Sequence, residues 1–152
     1  MDTISKDYSN ELIFELQKAF WDERGKGARF RVTTVGREFF NSHCLPRLQS
    51  TEIEDMIQTI EAALQEMGVV SRVSSERDGR MLRVRIEGCA HRPVEERLLE
   101  YGTKPFTCVP ANLIVLAIEE KLDRPAELAE IKLEDGACNI LIVLFEQRPF
   151  LG

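Results

Sequence analysis

The chain has 152 residues, of which 43% are hydrophobic and 30% charged, and its formal net charge is −6. That length suits one domain able to bury most of its unfolded surface, and the composition excludes a disordered or fibrous chain. The acidic balance argues against a general electrostatic grip on nucleic acid or anionic lipid, while leaving room for a local basic patch.

The first residues, MDTISKDYSNE, are polar and lack the basic start and apolar stretch of a signal peptide. The longest apolar run, NLIVLAI, is far too short to cross a bilayer, so no membrane span is expected. A cytoplasmic home is the expectation, and its four cysteines are then expected to be reduced thiols rather than disulfides.

From Tyr8 to about Glu23, Leu12, Ile13, Leu16, Ala19, Phe20 and Trp21 follow helical spacing, and the GKG at Gly25 to Gly27 stops that helix. Phe30 and Val32 alternate like a short strand; Val35, Phe39 and Phe40 fit a helix from about Thr34 to His43, ended before Pro46. Thr51 and Glu54 have the spacing of a capping box, followed by Ile53, Ile57, Ile60, Ala63, Leu64 and Met67 on one apolar face and closed by Gly68.

VVSRVSSERDGRMLRVRIEG reads as a β-hairpin turned at Asp78-Gly79, with Leu82, Val84 and Ile86 facing a core and Arg83, Arg85 and Glu87 facing water. Pro93 opens a short helix with Val94, Leu98 and Leu99 buried, stopped at Gly102. Pro110 suits the first turn of PANLIVLAIEEKLD, a helix apolar on nearly every side and so expected inside the protein. A second hairpin, ELAEIKL and CNILIVLFE, turns at Asp135-Gly136, and its last strand is apolar enough to be central and covered on both faces. The fold class is therefore α+β: two hairpins joined into an antiparallel four-stranded sheet, packed against several helices. The whole chain, residues 1–152, forms one domain, with a helical part over about 8–45 and an α+β part over about 50–147.

The segment Glu87 to Leu113 holds Cys89, His91 and Cys108, and with Cys138 these make a Cys₃His set of the type that zinc accepts. The spacing contains no Cys-x-x-Cys pair, and free cysteine otherwise packs as a small apolar group. Cys108 also stands at a helix start, where a thiol can be activated, with Lys104 nearby; no base is placed beside it by spacing, so a cysteine enzyme is the weaker expectation. A helix followed by a hairpin carrying Arg72, Arg77, Arg80, Arg83 and Arg85 has the order of a winged-helix DNA reader, yet Glu52, Glu54, Asp55, Glu61 and Glu66 would repel phosphate, which makes nucleic acid an unfavoured partner.

IEAALQEMG leading into a hairpin, CVPANLIVLAIEEKLDR, and AELAEIKLEDGACNILIVLFE with Glu127, Glu130, Gly136 and Cys138 carry a likeness over about residues 52–146. In these features the chain resembles the vinyl-reductase-type (hydrocarbon-binding) small-molecule-binding domain family. It departs from that pattern in lacking a cysteine near Glu130, in its short EDGA turn, and in having Ala111 and Ala117 where small glycines are expected. The resemblance implies binding of a small apolar molecule between helices and sheet. Cys108, Leu113, Leu116, Ala117, Ile140 and Ile142 would contact that molecule, and Cys89, His91, Cys108 and Cys138 would serve as polar groups or zinc ligands. The sequence expectation is thus a non-catalytic sensor or carrier, with a homodimeric interaction or assembly protein as the alternative. In that alternative Phe39, Phe40, Phe106 and the C-terminal RPFLG supply apolar contacts.

Overall fold

A computed structural model describes residues 3–146, in a helical and sheet arrangement of the α+β class. Helix α1 (Lys6–Arg24) starts with the Ser5 hydroxyl accepting the Asp7 N–H and ends at Gly25, which takes the left-handed φ of 58°. A 3₁₀ turn (Gly25–Gly27) leads into the single helical turn α2 (Ala28–Arg31). The alternation of Phe30 and Val32 therefore does not make a strand. Strand pairing needs a neighbour, and the sheet's ladders run through other residues.

Helix α3 (Arg37–Phe39) continues directly into a π-helical turn (Phe40–Cys44) and a 3₁₀ turn (Leu45–Arg47), so the expected helix around Thr34 to His43 is present in segmented form. Helix α4 (Ile53–Glu66) buries Ile53, Met56, Ile57, Ile60, Ala63 and Leu64. Its N-terminus is not held by the expected Thr51–Glu54 box. Instead the Ser50 hydroxyl accepts the Glu52 N–H and donates to Asp55, the tighter local arrangement winning over the longer one. Met67, past the helix end, is exposed rather than buried.

Strands β1 (Arg72–Asp78) and β2 (Met81–Glu87) form the first hairpin. Gly79 carries the only positive φ of its two turn residues, the pattern of a II′ turn. Helix α5 (Arg92–Tyr101) and the long apolar helix α6 (Val109–Leu122) follow, then strands β3 (Ala126–Glu134) and β4 (Ala137–Leu144). Asp135 and Gly136 both have positive φ, as a I′ turn requires. The sheet order is β1-β2-β4-β3, antiparallel throughout, with one irregularity between Leu128 and Glu130.

Register fixes which face is dry. Leu82 pairs with Ile142, Val84 with Ile140 and Ile86 with Cys138, and all six are buried. Helices α4 and α6 cover this face, α4 against β1 and α6 against β3. The opposite face carries Arg83, Arg85, Asn139, Leu141 and Val143, which are exposed or half-buried. Strand β4 is central, as expected, but covered on one face: the second apolar row, Leu141 and Val143, is flanked across the strands by Arg83, Glu130, Glu127 and Met81. A second, smaller core joins α1 to α5 through Phe14, Ala28, Val94, Leu98 and Phe106, flanked by Phe20 and Trp21. Among the described residues, no helix is long and apolar enough to cross a membrane.

Candidate functional site

The segment after α1 is held against α6 and the edge of the sheet by a few specific contacts. Asn112, buried on the first turn of α6, places its amide nitrogen 3.2 Å from Val32 O, 3.1 Å from Val35 O and 3.2 Å from the Thr107 hydroxyl. One side chain thus bridges two backbone carbonyls of this segment, Val32 O also accepting the Val35 N–H. Gly36 adopts a φ of 103°, and a Cβ there would come within 3.2 Å of Val109 and 3.3 Å of Leu113, so the backbone itself rests on α6. Farther out, Arg29 Nη2 donates to Leu128 O on β3 at 3.2 Å.

Between this segment and the edge strand β3 runs a cleft of about 930 Å³. Its apolar lining comes from Trp21, Phe30, Phe106, Leu116, Leu128 and Ile131, with Trp21 and Phe106 in tilted contact at 5.4 Å between ring centroids. Thr107 and Asn112 add polar atoms, and Lys26, Arg29, Arg37, Lys104 and Glu119 bring charge. A cleft of this size and mixture can hold a small molecule, since ligand sites are mostly apolar with few orienting polar groups. A second depression, about 570 Å³, lies on the outer face of the sheet among Ser74, Glu76, Arg83, Arg85, Glu130 and Lys132; its lining is mainly charged and polar.

The structure sorts the residues expected to contact a ligand. Leu116 lines the cleft. Cys108, Leu113, Ala117, Ile140 and Ile142 are buried in the main core, Leu113 against Gly36, and do not line the cleft. The apolar residues offered for partner contact shift as well. Phe40 and Phe106 are buried and Phe39 is half-buried, while RPFLG lies outside the described residues.

The cysteines form a neighbourhood of a different kind from the one expected. All four are free and buried. Cys138 Sγ donates to Glu95 Oε2 at 3.0 Å, and the charge of Glu95, only 4% exposed, also reaches Cys89 and Cys108, whereas Cys44 lies apart in the π-helical turn. Burial, opposed in part by the Cys138 hydrogen bond and by Arg92, lifts the Glu95 carboxyl to about 7. Burial, followed by the charge of Glu95, pushes the Cys108 and Cys138 thiols well up. Burial likewise raises Cys89 and lowers His91, whose Nδ1 is buried without a hydrogen-bond partner among the described residues.

Metal binding by sulfur requires the thiolate. Here Cys138 is already engaged by Glu95. Among the described residues no group of three or more His, Cys, Asp or Glu side chains stands together as a metal-holding set, so Cys89, His91, Cys108 and Cys138 do not fit the zinc expectation. Cys108 stands at the N-cap of α6, but burial outweighs the helix dipole and leaves it a protonated, inaccessible thiol.

The arginines of the first hairpin are answered locally: Arg77 donates to Gly79 O, Arg80 pairs with Glu146 at 3.3 Å, and Arg83 stands opposite Glu76. That hairpin is the outer half of a sheet rather than a free wing. The sequence reading missed Glu95, Asn112 and Trp21 as site residues. For Glu95 the one available signal was its position a single residue after Val94 and three before Leu98, on the flank of a buried helical stripe.

No protein-family model matches the chain, and no curated protein matches it. The site therefore stands on its own chemistry.

Proposed function

We propose that this protein is a non-catalytic binder of a small hydrophobic molecule, acting as a sensor or carrier, and that the ligand lies in the cleft between the α1–α3 segment and strand β3. The observation that supports this most is the apolar lining of a cleft of about 930 Å³ that nothing within the described chain fills. Leaving half-buried Trp21 and exposed Phe30 at a concave surface is unfavourable, and a guest that removes their area from water recovers roughly 25 cal/mol per Å². The resemblance to hydrocarbon-binding domains agrees with this reading, with the guest beside α6 rather than beneath it. No metal enters the reading.

The chain's single tryptophan makes the test direct. Titration with the neutral dye N-phenyl-1-naphthylamine is expected to give one saturable site with energy transfer from Trp21. The variant Val115→Phe, which enlarges a half-buried cleft residue, is expected to weaken it. Absence of saturable dye binding to the native chain, at protein concentrations up to those where it remains monodisperse, would refute the proposal.

A specific observation also favours the second reading, a homodimeric interaction or assembly protein. Tyr8, Leu12 and Leu16 follow one another at a spacing of four residues on the outward side of α1, with exposed Ile4 just before its start, and Leu16 is 63% exposed. Residues four apart share a helix face, so they form a continuous apolar stripe.

A further inference from the structure

The cleft's charges are segregated. Pairing along β3 alternates its side chains between the two faces of the sheet. Ala126, Leu128, Ile131 and Leu133 pair with the buried residues Leu144, Ile142, Ile140 and Cys138, and so share the face that leads into the cleft. Glu127, Glu130, Lys132 and Glu134 pair with Val143, Leu141, Asn139 and Ala137, which places them on the other face; Lys132 and Glu130 pair there at 3.2 Å. Glu127, Glu130 and Glu134, with Lys132, thus meet the cleft at the strand's edge, from positions that the register assigns to the sheet's outer face.

The opposite wall is basic. Lys26, Arg29 and Arg37 come from the segment between α1 and α3, and Lys104 comes from the loop before α6. Arg29 is anchored to Leu128 O, and none of Lys26, Arg37 and Lys104 has an ion pair among the described residues. Glu119 is the carboxylate that α6 brings to the cleft. Four cations thus make up one wall of the cleft, while its carboxylates stand on α6 and along the edge of β3. Cations left unpaired beside a low-dielectric wall attract an anion more strongly than the same charges spread over the surface.

Resting on the cleft as the binding site, we propose that its ligand is a free, single-chain amphiphile with an anionic head group, a carboxylate or a phosphate ester. The alkyl part lies on Trp21, Phe106, Leu116, Leu128 and Ile131. The head group faces Lys26, Arg37 and Lys104, with the Thr107 hydroxyl as a further donor. This goes beyond hydrophobic binding as such, because it fixes the sign of the ligand's charge and its orientation.

Four probes with the same ten-carbon chain separate the terms: decanoate, decyl phosphate, decanol and decylammonium, each below its micellar concentration and followed by Trp21 fluorescence on the full chain. Decanoate and decyl phosphate are expected to bind at least tenfold more tightly than decanol, with decylammonium the weakest. Raising sodium chloride from 0.05 to 0.5 M is expected to erode that advantage, since screening acts on charge and not on the alkyl contact. In the Lys26→Gln, Arg37→Gln, Lys104→Gln chain the preference for decanoate over decanol is expected to fall at least fivefold. Equal affinity for all four probes would overturn the head-group inference while leaving the cleft as a hydrophobic site, and tighter binding of decylammonium would overturn it too. If none of the four binds, the binding proposal itself fails. Flotation with anionic phosphatidylglycerol vesicles without binding of any monomeric probe would assign the basic wall to a membrane surface and also overturn the inference.

Discussion

Replacing Glu95 by Gln tests the buried carboxyl most sharply. Glu95 is almost wholly buried and accepts from Cys138, and its folded value of about 7 stands above the ordinary value of 4.5. The sign follows from which state holds the proton. Below pH 4.5 both folded and unfolded chains are protonated and the full stability is present. As pH rises through 7 the unfolded chain has already released its proton, so stability is progressively lost. Each unit of difference is worth about 1.4 kcal/mol, so the native chain forfeits about 3 kcal/mol by pH 8 and less than about 1 kcal/mol at pH 5. Glutamine keeps the acceptor for Cys138 and the shape of the side chain but never ionises. The E95Q chain is therefore expected to be more stable than the native chain by about 3 kcal/mol at pH 8. For a chain of this length that is a rise in Tm of roughly 6–12 °C. The advantage should shrink towards zero below pH 5. Urea denaturation in reducing buffer between pH 5 and pH 8 measures this directly, and stopping at pH 8 keeps the four thiols of the unfolded chain largely protonated. A difference between the two chains that stays constant over that range, or an E95Q chain that is the less stable one at pH 8, would refute the reasoning.

Leu113→Ala is expected to cost roughly 2–5 kcal/mol in urea denaturation, because Leu113 is fully buried and its removal leaves a cavity; N-phenyl-1-naphthylamine binding by the folded fraction should persist, since Leu113 does not line the cleft. Gly88→Ala should destabilise by more than about 1 kcal/mol: Gly88 has a φ of 65°, and a Cβ there would collide with the Ser71 hydroxyl and lie 2.8 Å from Ser71 Cβ. A Gly88→Ala chain as stable as the native one would mean that this junction before α5 relaxes freely. If α1 pairs with a second copy, the Leu12→Glu, Leu16→Glu chain should be monomeric by light scattering at concentrations where the native chain is dimeric, with unfolding by urea changed by less than about 1 kcal/mol because both side chains are exposed. A native chain that is itself monomeric at high concentration removes that reading.

The sequence by itself determined the elements whose signals are local. Periodicity of 3.6 marked α4, a nearly unbroken apolar run behind Pro110 marked α6, alternation marked β2, and Asp135-Gly136 with the glycine of Asp78-Gly79 placed both hairpin turns, because turn chemistry and side-chain pattern depend on residues close along the chain. From two hairpins and apolar helices the α+β class and the four-stranded antiparallel sheet followed. What only the tertiary structure decided are relations between distant residues. Phe30, Val32 and the outward row of β4 were misplaced because an apolar side chain carries no mark of which partner covers it. The Glu95–Cys138 hydrogen bond joins residues 43 positions apart, and Asn112 reaches back 80 positions to Val32. Whether the apolar residues of α6 meet a solid core or an opening was likewise invisible. Leu113 and Leu116 are three apart on one helix, yet one is sealed in the main core beside Gly36 while the other lines the cleft, and the difference lies wholly in what the rest of the chain brings against each.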